Sequence, residues 1–440
     1  MSDASVPEGV KQASEGRDPR EWSWVEPVVW NERMLAALGN GVKGGKWFSL
    51  WDKVYARATL EASWRRVKRN GGAAGVDNVS VTRFASREQA YLDELHEALK
   101  AERYRPQPVK RVMIPKPGGK QRPLGIPVVK DRIVQGAVKL VIEPIFEREF
   151  LPSSHGFRPE RSAKDALREV DVALKEGLSW VVDADLASYF DSIPHEPLMD
   201  RIGEHISDGK VLALIKSFLK QDVLSGLDCW TPVRGSPQGA VLSPLLANLY
   251  LHGLDREMST LGYRMVRYAD DFVILCATRQ QAQEALARVR SWVEAAGLDL
   301  HPEKTQLGDC RKEGQGFEFL GYRFEAGRRR VRKKSLMAFK DNIRNKTGRS
   351  SGHSLAFIIE NLNRMLCGWF AYFKHTQGRE LERIDSFIRR RLRAILRRYK
   401  KMTGRLGKSL ADHRRWPNAF FADHGLFSLK SARALASQSR

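Results

Sequence analysis

Apolar residues recur along the chain with two different periods, and these periods predict a mixture of helices and strands. Helical spacing, with apolar positions three or four residues apart, covers four segments: about 47–70, 131–150, 242–258 and 279–296. Bounded apolar runs at 179–186 and 267–275 predict buried strands instead. Because strands and helices alternate, the pattern predicts an α+β or α/β body.

A β-hairpin is predicted near the first quarter of the chain. The stretch 108–127, PVKRVMIPKPGGKQRPLGIP, places two β-like runs on either side of a Pro-Gly-Gly turn, with basic residues at the tip. Residues 1–45 contain scattered Gly and Pro and follow no clear period. They are therefore predicted to form a loop-rich N-terminal extension, and the body to start at residue 46.

The pattern changes to helices alone after the arginine triplet 328–330. Three helices are predicted, over about 335–345, 354–374 and 379–401. On the last of them arginines occupy the face opposite an apolar face, which is formed by Ile384, Phe387, Ile388, Leu392, Ile395 and Leu396. The sequence therefore predicts a body over residues 46–325 and an all-helical module over residues 326–440.

Charge separates the same two regions. The 440 residues include 75 Lys and Arg against 52 Asp and Glu, which gives a net charge of +23 and a pI near 10.0. Residues 326–440 contain 29 basic and 7 acidic side chains, a net of +22, so nearly all of the excess lies in the helical module. Such an excess would repel itself without a polyanion, and it predicts a nucleic-acid partner.

Several classes of protein are disfavoured. No stretch approaches the roughly 20 apolar residues of a membrane-spanning helix, and the first thirty residues lack the apolar core of a signal peptide. The four cysteines are widely separated and form no C-x-x-C pair, which argues against a disulfide framework and a structural zinc site. A cytoplasmic protein without membrane contact is therefore expected.

Three carboxylates stand at the predicted strands. Asp185 lies near the end of one apolar run, and Asp270 and Asp271 form an adjacent pair in Tyr-Ala-Asp-Asp. Adjacent acids against a buried strand would repel each other without a cation. Because Mg²⁺ takes oxygen ligands and leaves places for substrate phosphates, the three aspartates suit a two-metal site for phosphoryl transfer. The structural alternative is that Asp185 caps a turn and the acid pair forms a hairpin.

The order of the motifs resembles that of reverse transcriptases. The basic hairpin is followed by Asp185-Leu-Ala-Ser-Tyr-Phe190-Asp191, Gly235-Ser-Pro-Gln238-Gly, Tyr-Ala-Asp-Asp, His301-Pro-Glu-Lys304 and Phe319-Leu-Gly-Tyr322. More narrowly, KPGGKQRPLGIP, HGFRPERSAKDAL, GSPQGAVLSPLLANLYL and the basic helical tail look like bacterial group II intron-encoded reverse transcriptase/maturases. The resemblance extends from about residue 47 to the last residues of the chain.

This resemblance implies an α+β right-hand polymerase, with fingers and palm in the body, followed by an all-helical thumb and maturase-specific domain. The implied enzyme extends a primer 3′-hydroxyl with dNTPs, copies intron RNA into DNA during retrohoming at target DNA, and binds group II intron RNA for splicing. Asp185, Asp270 and Asp271 correspond to the catalytic metal ligands. Leu186 belongs to the implied metal site as well. Two Mg²⁺ ions are implied there, with Mn²⁺ as a substitute.

Five further residues match nucleotide-binding positions of the family. Phe190 matches the bulky residue that excludes a ribose 2′-hydroxyl, and Gln238 matches a contact to the incoming nucleotide. Lys116 and Arg122 match fingers residues that grip the triphosphate. Lys304 matches a palm lysine that could act near the leaving pyrophosphate. The structural alternatives are a core aromatic, a plain turn and solvated basic side chains.

The basic tail matches the part of the family that holds intron RNA. The arginines predicted to bind RNA are Arg389, Arg390, Arg391, Arg397 and Arg398. Many relatives continue into an HNH endonuclease built around His and paired cysteines, whereas the last quarter here has only Cys367. We therefore expect a member without that nuclease, which by resemblance would prime from DNA ends such as nascent strands at a fork.

Two rival functions stay open on the sequence alone. The first is a maturase that serves only as an RNA-binding splicing cofactor, although the intact Asp185, Asp270 and Asp271 argue against a decayed polymerase site. The second is a reverse transcriptase domesticated for defence or repair, or one of the retron type. The maturase-like tail disfavours a retron.

Overall fold

The computed structural model describes residues 22–42, 44–115, 121–348, 352–402 and 409–438. Its helices are α1 (Glu32–Asn40), α2 (Trp51–Tyr55), α3 (Arg57–Asn70), α4 (Val81–Ala85), α5 (Glu88–Lys100), α6 (Val129–Glu147), α7 (Ala163–Lys175), α8 (Tyr189–Ser192), α9 (His195–Gly203), α10 (Gly209–Leu219), α11 (Ser243–Thr260), α12 (Arg279–Ala295), α13 (Lys333–Lys346), α14 (Leu355–Phe373), α15 (Gly378–Tyr399), α16 (Leu410–Arg415), α17 (Asn418–Asp423) and α18 (Leu429–Gln438). Its strands are β1 (Val109–Pro115), β2 (Gln121–Ile126), β3 (Trp180–Asp185), β4 (Val223–Ser225), β5 (Asp228–Trp230), β6 (Arg264–Tyr268), β7 (Asp271–Cys276), β8 (Gln306–Asp309), β9 (Phe317–Phe319), β10 (Tyr322–Glu325) and β11 (Arg328–Val331). This mixture confirms the predicted α+β class. None of the helices in the described ranges combines the length and the hydropathy needed to cross a membrane.

The chain divides into two compact units, each assembled from separate stretches of sequence. The first unit draws on Met1–Ser162, Asp185–Asp271 and Ala287–Pro302. The second unit draws on Ala163–Ala184, Phe272–Leu286 and Glu303–Arg440. The predicted domains are consecutive segments instead, so the division at residues 45/46 and 325/326 stays a prediction.

The N-terminal region contains a helix where the sequence predicted only loop. Asn31 caps α1, because its side-chain oxygen accepts a hydrogen bond from the Met34 N–H at 3.0 Å. The helix has only nine residues, so its apolar positions Met34, Leu35 and Leu38 form too short a run to stand out from the loop-like residues around it. The prediction of a loop-rich segment is therefore wrong for residues 32–40.

The predicted helix over residues 47–70 is in fact two helices, α2 and α3. Ala56 separates them, since its ψ of 132° is not helical. Asp208 fixes the start of α2, because its Oδ2 accepts hydrogen bonds from the N–H groups of Leu50 and Trp51 at 2.8 and 2.9 Å. The apolar period continues across the break, which is why the sequence did not reveal it.

Helix α6 forms the centre of the first unit and is buried along most of its length. Ser63 of α3 donates a hydrogen bond to the Ile133 carbonyl at 2.7 Å, and a Cβ on Gly136 would lie 2.1 Å from the same hydroxyl. Only glycine permits this close approach of α3 and α6. Gln135 then positions the backbone before α11, because its Oε1 accepts the Val241 N–H at 2.9 Å.

Asp131, near the start of α6, is a buried carboxylate with three donors. The Tyr104 hydroxyl donates to its Oδ1, while the Gln107 N–H and the Gln221 side-chain amide donate to its Oδ2 at 3.1 and 2.5 Å. Burial raises the pKa of Asp131 to about 6, although these hydrogen bonds act in the opposite direction.

We expect Asp131 to make the free energy of unfolding depend on pH between about 4 and 6. Its folded-state pKa lies above the ordinary value of 3.8, so the folded chain holds the proton more tightly and stability falls as pH rises through this window. The loss is on the order of 3 kcal/mol. Urea unfolding across this pH range measures the effect. The free energy of unfolding should vary less with pH in Asp131→Asn, whereas the control Asp423→Asn, at an exposed site, should behave like the original chain. Equal slopes in all three proteins would contradict the expectation.

The predicted hairpin at residues 108–127 is confirmed as β1 and β2. The two strands pair antiparallel, with Ile114 opposite Arg122. The sheet continues through β4 and β5 in the order β2-β1-β4-β5, and β1 runs parallel to β4. Lys116, predicted to grip a triphosphate, lies outside the described residues.

A second sheet has the strand order β6-β7-β3-β8. Strand β3 pairs antiparallel with β8, with Val182 opposite Leu307, and confirms the strand predicted at residues 179–186. The single strand predicted over residues 267–275 is wrong. Strand β6 ends at Tyr268 and β7 begins at Asp271, because Ala269 turns the chain with a φ of +60°.

Strands β9, β10 and β11 form a small antiparallel sheet in the second unit. Glu325 pairs with Arg328, so the predicted boundary at 325/326 falls in the turn of a hairpin. The uninterrupted run of helices starts at Lys333 rather than at residue 326.

Helices α13, α14, α15, α17 and α18, together with Trp416 after α16, share one apolar core in the second unit. The predicted apolar face of α15 is confirmed: Ile384, Ile388, Leu392 and Ile395 are buried, and Phe387 and Leu396 pack partly buried against the same core. Asp385, also buried, joins α18 to α15. Its carboxylate accepts hydrogen bonds from the Ser428 hydroxyl at 2.9 Å and from the Leu429 and Lys430 N–H groups at 3.1 Å. These bonds satisfy donors at the start of α18.

Candidate active site

The two adjacent acids lie in the turn between β6 and β7. Asp270 follows Ala269 in the turn and Asp271 opens β7, and both side chains are half-buried. The Ala269 carbonyl accepts a hydrogen bond from Arg267 Nη1 at 2.8 Å. The left-handed backbone at Ala269 is therefore fixed by a side chain of the preceding strand.

Asp185 is the last residue of β3, and its backbone is held by the segment before β8. The Asp185 carbonyl accepts the His301 N–H, and the Ala187 N–H donates to the Asp299 carbonyl, both at 2.8 Å. These two bonds flank an antiparallel bridge between Leu186 and Leu300. In a pair of this kind the central carbonyl points away from the partner strand, so the Leu186 carbonyl is directed away from residues 299–301.

Tyr189 holds the segment after Asp185 against helix α11. It is fully buried and donates its hydroxyl to the Ala247 carbonyl at 2.6 Å. Burial raises the pKa of Tyr189 well above its usual range, and the negative charge of Asp270 acts in the same direction while Arg267 opposes it. Tyr189, four residues after Asp185, therefore lies within electrostatic range of Asp270.

The donor set suits a hard divalent cation, which takes carboxylate and carbonyl oxygens. Among the residues that the structure describes, no three His, Cys, Asp or Glu side chains already form a ligand group. Mg²⁺ commonly uses one or two carboxylates together with water and substrate phosphates. Asp185, Asp270, Asp271 and the Leu186 carbonyl offer oxygen donors of the kind that such a partial site would use.

Two of the predicted nucleotide-binding residues contact each other. Arg122 of β2 donates from Nε to Gln238 Oε1 at 2.7 Å, although the two residues are 116 positions apart. The backbones are joined as well, since the Gly125 N–H donates to the Gln238 carbonyl at 2.7 Å. Gly239 allows this contact, because a Cβ there would lie 2.5 Å from the Gly125 carbonyl oxygen.

Phe190 is attached to the same loop. Its carbonyl accepts the Ser236 N–H at 2.7 Å, and its ring is 8 % exposed and lies 6.3 Å from the ring of Phe157. The side chain is therefore buried, as the structural alternative of a core aromatic also predicts. Its position beside the loop of Gln238 nevertheless brings three predicted nucleotide-binding residues into one region of the first unit.

The sequence did not point to Asp191, Arg111 or Trp230, which line a pocket of about 410 Å³ next to this loop. Burial raises the pKa of Asp191, opposed by the charges of Arg111 and Arg122. The Arg111 guanidinium lies 5.4 Å from the centre of the Trp230 ring. Asp191 belongs to the same sequence motif as Asp185, but nothing in the sequence predicts that it lies near Arg111.

Lys304 lies in the turn that precedes β8 and is exposed. It belongs to the second unit, whereas Asp185, Asp270 and Asp271 belong to the first. A role for Lys304 near a leaving pyrophosphate therefore stays a prediction.

The arginines of α15 fall into two groups. Arg389 and Arg390 line a concave surface of about 740 Å³, which we call the arginine pocket; its other lining residues include Arg379, Arg383, Phe387, Arg393 and His413. The Arg390 guanidinium lies 5.3 Å from the centre of the Phe387 ring. Arg398 is exposed near the end of the helix. Cationic side chains around an aromatic ring are suited to phosphates and stacked bases.

Arg391 and Arg397 contact other parts of the protein instead. Arg397 is buried and forms an ion pair with Asp412 of α16 at 2.7 Å. Arg391 donates to the Thr347 hydroxyl at 2.7 Å and to the Thr347 carbonyl at 2.8 Å, at the end of α13. Arg393, which nothing in the sequence distinguishes from its neighbours, is buried in the arginine pocket and donates to the Trp416 carbonyl at 2.9 Å.

Two family models match the chain. Residues 114–324 match the family model of reverse transcriptase (RNA-dependent DNA polymerase), and residues 336–416 match that of the group II intron maturase-specific domain. Protein YkfC of Escherichia coli K12 is 34 % identical over 341 residues, which cover 69 % of this chain and 85 % of YkfC.

Two further relatives match over shorter spans. Group II intron-encoded protein LtrA of Lactococcus lactis subsp. cremoris is 42 % identical over 177 residues, 40 % of this chain and 29 % of LtrA, so this match spans less than a third of LtrA. A solved Partial Cas6-RT-Cas1--Cas2 complex contains a chain that is 25 % identical, with a TM-score of 0.36, over 56 % of this chain and 41 % of that one.

The mixed helix and strand fold and the matched family model define a protein of the reverse transcriptase class, an RNA-directed DNA polymerase. The chain belongs to the family of group II intron-encoded reverse transcriptases and maturases. Dependence on a divalent metal is general in this class, and the maturase-specific match makes RNA a partner.

Proposed function

We propose that this protein extends a DNA primer on group II intron RNA and also assists the splicing of that RNA. The observation that carries the polymerase part is the Arg122–Gln238 contact, on a loop joined to Phe190, five residues after Asp185. This contact brings the guanidinium of Arg122, which could bind phosphate, together with the amide of Gln238 and the ring of Phe190. All three lie in the unit that also contains the three aspartates. The proposed division is an extension over residues 1–45, fingers and palm over 46–325, and thumb and maturase domain over 326–440. The two matched ranges, 114–324 and 336–416, lie on either side of the 325/326 boundary.

Asp185, Asp270, Asp271 and the Leu186 carbonyl would hold two Mg²⁺ ions, for which Mn²⁺ can substitute. When bound, these ions lower the pKa of the primer 3′-hydroxyl and neutralise charge on the leaving pyrophosphate. The aspartates' own part is to fix the positions of the reacting oxygens, since each is held by an ordered strand end or turn.

Arg122 binds the triphosphate of the incoming dNTP through its planar fork of donors, which matches phosphate oxygens. Phe190 closes the side of the pocket where a ribose 2′-hydroxyl would lie, and Gln238 contacts the nucleotide. Lys116 and Lys304 complete the proposed phosphate contacts. We also propose a cytoplasmic site of action, which four cysteines without a disulfide suit.

Primer extension tests the polymerase proposal. The purified chain is incubated with a DNA primer annealed to RNA, the four dNTPs and Mg²⁺, and the products are resolved by length. Extension that requires the dNTPs and the metal supports the proposal. A folded protein that binds intron RNA, promotes its splicing and extends no primer would instead be the splicing cofactor.

For RNA binding we expect Arg389 and Arg390 to act at the surface. The double substitution Arg389→Ala/Arg390→Ala should weaken binding to intron RNA and reduce the slope of log affinity against log salt by about 1.4, since each lost phosphate contact contributes about 0.7 on a single strand. Filter binding at several salt concentrations measures this slope. The matched control, Arg288→Ala/Arg290→Ala, removes the same charge from exposed positions of α12. A slope that changes equally in both variants would contradict a site at the arginine pocket.

A further inference from the structure

Arg267, the residue before the last of β6, has no solvent exposure. Its side chain and that of Asp255 on α11 are both 0 % exposed. Arg267 Nε donates to Asp255 Oδ1 at 2.7 Å, and Nη2 donates to Oδ2 at 2.5 Å. Because burying two charges costs desolvation energy, a buried ion pair by itself is weak evidence for stability. The other hydrogen bonds of Arg267 therefore indicate what the pair does.

The remaining nitrogen of Arg267 is directed at the acidic turn. Nη1 donates to the Ala269 carbonyl at 2.8 Å and to Asn248 Oδ1 at 3.0 Å. Ala269 is the residue immediately before Asp270, and its φ of +60° is unfavourable for a residue with a side chain. The Arg267 fork thus ties a buried carboxylate to the strained peptide that aims Asp270.

A second path reaches the same turn from residues 153–156. Asn248 Nδ2 donates to the Gly156 carbonyl at 2.7 Å, and the backbones of Arg267 and Ser153 are hydrogen-bonded at 2.8 Å. Gly156 leaves room for the turn, because a Cβ there would lie 2.2 Å from the Ala269 nitrogen. Any other residue at this position must displace the turn.

We infer that Arg267, Asp255, Asn248 and Gly156 form a positioning network that sets the direction of Asp270 and Asp271 before metal or substrate binds. None of the four is assigned to touch substrate, and the inference rests on the proposed polymerase function of the two aspartates. The network explains why Ala269 keeps a strained backbone although it is not glycine. The Arg267 side chain holds the turn on one side and residues 153–156 hold it on the other.

Gly156→Ala tests the network with the smallest change. Displacement of the turn should lower the maximal rate of single-nucleotide incorporation about 100-fold, because a shift near 1 Å is enough to misalign reacting groups. The apparent affinity for dNTP should change less than about threefold, since Arg122 and Gln238 are untouched. Gly203→Ala is the matched control, because a Cβ at Gly203 meets nothing within 4 Å. It should leave both quantities unchanged.

Hydrogen exchange of the metal-free protein gives a readout that does not depend on synthesis. Amides of residues 267–272 should exchange faster in Gly156→Ala than in the original chain or in Gly203→Ala, while α6 keeps its protection. If Gly156→Ala fails to fold, Asn248→Ala decides by the same two measurements, because it removes both side-chain bonds without adding an atom.

Unchanged incorporation rates and unchanged exchange in a folded Gly156→Ala protein would overturn the inference. A loss of dNTP affinity equal to the loss of rate would also overturn it, since general loosening of the pocket predicts that result. If the original chain extends no primer, the proposed function fails, while the exchange data still show whether the network orders the turn.

Discussion

Asp270→Ala is expected to reduce DNA synthesis at least about 10³-fold while the protein still folds and binds intron RNA. The acid lies in the turn between β6 and β7, where its oxygens are proposed to hold metal ions against the reacting phosphate. Loss of one ligand from such a site removes several kcal/mol of transition-state stabilisation. Primer extension under single-turnover conditions measures the rate, and filter binding measures RNA affinity.

Asp423→Ala is the control for this substitution, because Asp423 is an exposed aspartate at the end of α17. It should retain synthesis within about twofold, as expected for a surface substitution away from special features. Synthesis by Asp270→Ala at the rate of the control would show that Asp270 is not part of the active site. Equal loss of RNA binding in Asp270→Ala would indicate misfolding.

Arg397→Ala is expected to lower the free energy of unfolding by about 3–5 kcal/mol, because it leaves a buried carboxylate without its charge partner. Asp412 is 1 % exposed and Arg397 9 % exposed in this pair. Denaturant unfolding of the intact chain, followed by circular dichroism, measures the loss. The neighbouring substitution Arg398→Ala removes the same charge from an exposed position and should change stability by less than about 0.5 kcal/mol.

The order of the two substitutions should reverse when RNA affinity, rather than stability, is measured at a temperature where both variants are folded. We expect Arg398→Ala to weaken binding and Arg397→Ala to preserve it, because a guanidinium inside an ion pair is not available to phosphate. Reduced RNA affinity in a folded Arg397→Ala protein, with stability unchanged, would return Arg397 to the RNA-binding surface.

These arginines show where helical periodicity stops being informative. The apolar stripe of α15 could be predicted because it depends only on spacing within one helix. The burial of Arg397 depends on Asp412, which the chain brings back from α16, and that of Arg393 on a backbone carbonyl at Trp416. Local spacing carries no information on either partner, so these arginines look alike in the sequence.

The acidic site shows a similar division. The apolar run before Asp185 correctly predicts a strand, but the run around Asp270 predicts a single strand because apolar residues flank the turn closely on both sides. A charged residue within that run, Arg267, was the available signal, since a buried guanidinium requires a partner. The contact of Arg122 with Gln238 spans 116 positions and follows from the tertiary fold alone.

The three donors that Asp385 receives from residues 428–430 affect how deletion experiments must be interpreted. A chain shortened before Ser428 would leave this carboxylate buried in the longest helix of the second unit without those donors. Such a deletion would register as lost RNA binding even if no removed residue ever touches RNA. Point substitutions on the surface of α15 are therefore the sounder way to map the ribonucleoprotein contact.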